Sequence, residues 1–170
     1  MAEPLTLIKL IILYMLDQID FPLSKAQIYD FILEKEYTNY FTLQQATCEL
    51  IDSNFVASVT THNSTLLTLT AEGRETLHYF RGRIADGIRQ DINTYFDENR
   101  VELHNEVSVT SNYYRNSTGE YVADLSAHEK AEELINIKLA LPTEEAAEAV
   151  CRNWKQRNQE VYSFIIEKLM

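Results

Sequence analysis

The chain has 170 residues, 45% hydrophobic and 24% charged, with only 4 Gly and 3 Pro. That balance excludes a disordered chain and long flexible linkers, and it leaves room for one ordinary domain or two small ones. The formal charge of −11 is spread over both halves, with five basic against ten acidic side chains in residues 1–82 and ten against sixteen in residues 83–170. Neither half is therefore a basic module of the kind a phosphate backbone attracts.

The first helix is expected from Pro4 to about Ile19, with Ile8, Ile11, Ile12, Met15, Leu16 and Ile19 at helical spacing. The run from Leu5 to Leu16 contains Lys9, lacks a small-residue cleavage site and is too short to span a bilayer, so it reads as a core helix. Phe21-Pro22 ends it, because a residue before proline is pushed out of the helical region. Ser24 to Gln27 has the spacing of a capping box and opens a second helix, with Ile28, Phe31 and Ile32 inward and an end near Lys35. Thr42 to Gln45 repeats that spacing and opens a third, with Leu43, Ala46, Leu50 and Ile51 inward and Ser53-Asn54 closing it.

Residues from Phe55 to Thr60 and from Thr65 to Leu69 are β-branched and apolar, and His62-Asn63-Ser64 between them predicts a hairpin. Thr70 caps a fourth helix, where Gly73 permits close approach to that hairpin. Three helices, a two-stranded wing and a return helix form the order of a winged helix-turn-helix, assigned to residues 1–82.

Residues 83–170 are expected to hold a linking helix, a three-stranded antiparallel sheet and a C-terminal helix. Ile84, Ile88, Ile92, Tyr95 and Phe96 make the linking helix amphipathic, and Gly82 and Gly87 suggest a bend. Val107, Val109 and Tyr113 alternate with polar residues, followed by a turn at Asn116 to Gly119. Tyr121 to Ala127 and Ile135 to Leu141 alternate again. Pro142-Thr143 opens the last helix, whose stripe Ala147, Val150, Trp154, Val161 and Ile165 covers the sheet. The fold class is α+β.

Catalysis needs groups that converge, and the four histidines lie on separate segments without metal-ligand spacing. There is no Gly-rich phosphate loop and no nucleophile elbow, so neither an enzyme nor a cofactor or metal is expected. Cys48 and Cys151 sit in apolar helical patterns and read as buried thiols of a reducing, cytoplasmic protein. Tyr113, Tyr114, Tyr121 and Trp154 pack sheet against helix or, less simply, line a ligand pocket.

If double-stranded DNA is the partner, its readers are Thr38, Asn39, Tyr40 and Thr42 ahead of and opening the third helix, Gln44, Gln45 and Thr47 on its outer face, and His62 and Asn63 in the wing. Against that, no Lys or Arg occurs between Glu36 and Thr70, while Glu49 and Asp52 would face the duplex. Lys25, Lys35, Arg74 and Arg81 supply phosphate contacts only if the fold gathers them on one side. The expected function is a non-enzymatic DNA-binding transcriptional regulator, with a winged-helix protein-interaction module that does not bind DNA as the alternative. A homodimer is expected for the first, through the apolar stripe around Ile88 or that around Trp154, with no membrane association and an unspecified effector.

The run from Pro4-Leu-Thr-Leu through Phe41-Thr-Leu-Gln-Gln to His62-Asn-Ser-Thr and Leu69-Thr-Ala-Glu-Gly-Arg, with Asn105-Glu-Val-Ser-Val and Pro142-Thr-Glu-Glu, resembles an uncharacterised Firmicutes family classed as a domain of unknown function. The resemblance implies a transcriptional regulator whose N-terminal part is similar to PadR-like and MarR-like winged helices. It implies no catalytic residue or ligand.

Overall fold

The computed structural model describes residues 4–60, 64–130 and 132–170. It is a mixed α+β chain with six α-helices and two three-stranded antiparallel sheets among those residues. Two compact units divide at His104/Asn105, later than residue 82, where the expected winged-helix order ends.

In the first unit, α1 (Pro4–Asp17) is buried almost without a break from Leu10 to Leu16, so it forms the centre rather than one side of the core. A two-residue strand β1 (Leu23–Ser24) follows, and α2 (Lys25–Glu34) starts from it. Both arms of the expected Ser24–Gln27 capping box are made, at 3.0 and 2.9 Å. The chain turns through Glu36, which adopts a positive φ of 57°, into α3 (Tyr40–Asp52). Asn54 closes α3 in the left-handed conformation at φ 61°, as its residue type suggested.

The hairpin β2 (Val56–Thr60) and β3 (Thr65–Leu69) forms in the expected place. It is not two-stranded. Leu23 and Ser24 pair with Leu67 and Leu66, giving the sheet order β1-β3-β2. A two-residue strand leaves no periodicity to read, which is why the sequence pattern missed it. Thr70 caps α4 (Ala71–Phe80) by accepting the Gly73 N–H at 3.0 Å.

A single turn of 3-10 helix, Arg81–Arg83, then breaks the path before α5 (Asp86–Ser108). Ile92, Phe96 and Leu103 of α5 are buried. Tyr14 donates to Asn93 at 3.2 Å, Tyr37 to Asp91 at 2.6 Å, and Gln27 to the Leu103 carbonyl at 3.2 Å. These contacts explain why the first compact unit extends through His104. Val107, expected on a strand, lies in the last turn of α5, where its position continues the buried side of that helix.

The second unit is the expected meander: β4 (Val109–Arg115), β5 (Tyr121–Glu129) and β6 (Glu132–Leu141), in that spatial order. Asn116 Oδ1 accepts from the backbone of Thr118 and Glu120, and Gly119 turns the chain at φ 87°. The helix α6 (Glu144–Leu169) begins at Thr143, whose hydroxyl accepts the Ala146 N–H. Ala123, Leu125 and Trp154 are its fully buried contact with the sheet, ringed by Val109, Ile135, Ile137, Val150 and Val161. The Trp154 indole donates to the Ser126 carbonyl at 3.1 Å.

Candidate functional site

The outer face of α3 is set by its cap. Asn39 has extended backbone and its side-chain oxygen accepts the Thr42 N–H at 2.9 Å, so the helix starts at Tyr40. The second capping box, expected at Thr42–Gln45, therefore does not form, because Thr42 is already inside the first turn. An Asn three residues upstream competes for the same orphan N–H and wins it. This start places Tyr40 and Phe41 on the helix, 58% and 82% exposed.

Leu43, Ala46, Thr47 and Leu50 face the core. Thr47 is thus not an outward reader. Its hydroxyl donates to the Leu43 carbonyl at 2.9 Å and lies 3.0 Å from the Tyr29 hydroxyl. Gln44 is half-buried, with its side-chain oxygen 2.7 Å from the same Tyr29 hydroxyl, a single O–H that serves one acceptor at a time. Burial raises the Tyr29 pKa, and the Thr47 hydrogen bond opposes that shift in part. The Thr47–Tyr29–Gln44 cluster ties α2 to α3 inside the unit. Replacing Thr47 by Val is expected to cost about 1 kcal/mol, read as a lower urea midpoint, because it strips one arm of a buried network while keeping its volume. An unchanged midpoint would show that the cluster carries no stability.

What α3 turns outward is the stripe Phe41, Gln45, Cys48 and Asp52, spaced four, three and four residues apart and all exposed. Cys48 was expected to be buried; it falls just off the Leu43–Ala46–Thr47–Leu50 face, and its thiol is exposed. Cys151 is half-buried, and burial pushes its thiol pKa up. Gln45 donates to Glu49 at 3.0 Å, and Glu49 pairs with Lys9 of α1. That lysine, with help from Gln45, holds the Glu49 carboxyl below its ordinary pKa.

Thr38 is half-buried and Asn39 is exposed, with its side-chain oxygen committed to the cap. Ala57 to Thr60 of the hairpin are exposed and carry no charge, while His62 and Asn63 lie outside the described residues. Lys9 of α1 lies beside this face, committed to Glu49. Lys25 sits over the Tyr29 ring at 5.5 Å, but Arg74 faces Asp17 at 3.7 Å and Arg81 sits over Tyr14 at 5.1 Å, both on α1. Of this stripe, Gln45 and Asp52 were expected on the outer face, and the exposure of Phe41 is the feature that sequence reasoning missed. Its signal was present in the Asn39 cap, which fixes the helix phase.

Other candidates were distributed by the fold. Tyr113 reaches Glu144 and Glu148 at 3.1 Å each, and these carboxylates, Glu148 first, push its pKa up to about 12. Trp154 is core, and Arg115 lies over the Tyr121 ring, so these residues do not form one pocket. An open groove of about 800 Å³ lies instead along α4, lined by Leu69, Thr70, Arg74, Glu75, His78 and Tyr79. Of the two apolar stripes, Ile92 and Phe96 are buried in the first unit and Trp154 in the second, while Ile88, Val161 and Ile165 are half-exposed. Among the described residues, no group of three or more His, Cys, Asp or Glu side chains could hold a metal, and no helix is long and apolar enough to cross a membrane.

A family model described as "Domain of unknown function (DUF4364)" matches residues 8–169, and the chain belongs to that family. No curated protein matches the chain. No solved structure matches it either.

Proposed function

We propose that the first unit is a winged helix whose exposed α3 face docks a protein partner, in a non-enzymatic cytoplasmic protein. The order α1-β1-α2-α3-β2-β3 supports the winged-helix reading, with α2 and α3 as the helix pair and β2-β3 as the wing. The similarity to PadR-like and MarR-like regulators of Firmicutes belongs to the same reading. One observation carries the choice of partner. The stripe that a DNA-reading helix would push into the groove presents an 82% exposed phenylalanine and a carboxylate, with no cation.

Exposed aromatics ringed by polar groups are the usual anchors of protein interfaces. A duplex would instead place phosphates against Asp52 and a Glu49 already paired with Lys9, with few counterions released, which leaves little non-specific affinity. The second reading, a regulator bound to double-stranded DNA, draws on the same helix order and on Gln45, whose amide suits an adenine edge.

Two measurements separate these readings. Titration of random and upstream duplexes at low and moderate salt is expected to show no binding. A steep salt slope would instead establish the DNA reading. Photo-cross-linking in extract of the source cells is expected to capture a discrete partner with the wild-type chain and to lose it with Phe41→Glu. Capture that ignores Phe41, or no capture at all, would defeat the docking reading.

A further inference from the structure

Residues 74–83 carry three Arg and His78 against a single acid, Glu75, in a chain whose formal charge is −11. The fold makes a surface of that reversal. Gly73 and Leu77 are the buried side of α4, so Arg74, Glu75, His78 and Tyr79 stand on its outer side and are exposed. They form two short rows, Arg74 with His78 and Glu75 with Tyr79, each spaced one helical turn. With Leu69 at the end of β3 and with Thr70, they line the open groove of about 800 Å³. Clefts of roughly 300–1,000 Å³ are the usual size for bound ligands.

The polar groups facing this groove are uncommitted, apart from the cap. Thr70 is fully used, since its hydroxyl donates to the Asn54 carbonyl and accepts the Gly73 N–H. Arg74 meets Asp17 only through Nε at 3.7 Å, longer than a hydrogen bond, and its side chain is 67% exposed. His78 touches the Tyr79 ring edge-on at 6.2 Å, and among the described residues neither ring makes a hydrogen bond. Tyr79 is 74% exposed. Just beyond it, Arg81 is held over the Tyr14 ring at 5.1 Å and Arg83 over the Phe80 ring at 4.8 Å, so two further cations are fixed in place after α4.

We propose that this groove docks an acidic peptide segment of a partner protein, with carboxylates on Arg74 and His78 and an apolar side chain on Leu69 and Tyr79. The planar fork of an arginine takes a carboxylate through two parallel hydrogen bonds. Exposed Arg and Tyr side by side are the residue types that most often anchor protein interfaces. Glu75 selects between anions. A nucleic-acid backbone carries a charge on every unit and would set one against Glu75, whereas a peptide can leave a backbone N–H there. Steering favours the same partner, because an acidic segment is repelled by most of this chain and attracted to residues 74–83. The groove uses no residue of α3, so docking here and docking at Phe41 succeed or fail separately.

Random short peptides displayed on phage, selected on the full wild-type chain and counter-selected on Arg74→Glu, are expected to converge on Asp and Glu next to an apolar residue. The selected peptide is expected to bind less tightly as salt rises. Its affinity should fall about tenfold or more in Arg74→Glu and in Tyr79→Ala, and stay unchanged in Phe41→Glu. If Arg74→Glu loses its circular dichroism, Arg74→Gln and His78→Glu take its place, with the same loss of affinity expected. Selection that does not converge on acidic sequences overturns the proposal, as do acidic peptides that bind Arg74→Glu as tightly as the wild type. A peptide lost with Phe41→Glu overturns it too, because its site would then be α3. So does a thymidine oligonucleotide that binds at Arg74 as tightly as the selected peptide, since the groove would then be reading phosphate.

Discussion

Replacing Gly73 by Ala is expected to destabilise the first unit by roughly 3 kcal/mol or more, seen as a large drop in urea midpoint with the slope preserved. In an exposed helix the same change is usually favourable by about 0.5–1 kcal/mol, because alanine loses less backbone entropy on folding. Geometry reverses the sign here. A Cβ at Gly73 would sit 2.0 Å from the Phe55 carbonyl oxygen and 2.9 Å from a Leu69 methyl. The nearer obstacle is backbone, held in place because the same carbonyl accepts the Thr70 N–H at 3.2 Å. The Leu69 side chain can turn aside, but the Phe55 carbonyl cannot. Relief requires that α4 move away from the β2–β3 hairpin, which also strains the Thr70 cap. A variant as stable as the wild type would mean that α4 does not lie this close to the hairpin.

Trp154→Ala is expected to have a comparable effect on the second unit, about 3–5 kcal/mol. The cluster around it holds Ala123 and Leu125, and Ala147 of α6 is buried as well, so the fully buried neighbours are mostly small and a lost indole has little large side chain to close over the space. The deletion also leaves the Ser126 carbonyl without its donor. Trp154→Phe separates the two causes, since it keeps most of the apolar ring and removes only the N–H. It should cost nearer 1–2 kcal/mol, including the cavity left by the smaller ring. Hydrogen-exchange protection across β4, β5 and β6 is the measurement, because it reports this unit separately from the first. Equal losses for Ala and Phe would show that the hydrogen bond, not the packing, dominates. Protection unchanged in Trp154→Ala would remove Trp154 from the core.

How much of this was legible depended on how local the cause was. The Ser24–Gln27 box, the Thr70 and Thr143 caps, the Asn116–Gly119 turn and the alternation of β5 and β6 are interactions among residues a few positions apart, and their patterns stand in the chain as written. The α3 cap was legible only in part. Thr42–Gln45 matched the box, yet Asn39 reached the same backbone group first, and moving the start to Tyr40 placed Phe41 on the outward stripe. Thr47 illustrates a different loss. A threonine on a helix looks like an outward polar residue until a distant hydroxyl, Tyr29, offers it a buried partner.

By itself the sequence determined the element types, most of their ends, the two-part character of the chain and the absence of cations from Glu36 to Thr70, because each rests on local backbone chemistry or on simple composition. Tertiary structure decided the rest. It placed β1 beside β3, docked α5 on the first unit, turned Thr47 and Gln44 toward Tyr29, and left Phe41, Leu139 and Phe164 at the surface. Each of these depends on which faces meet across long sequence separations. Periodicity says that a face is apolar, but only packing says whether the chain itself covers it.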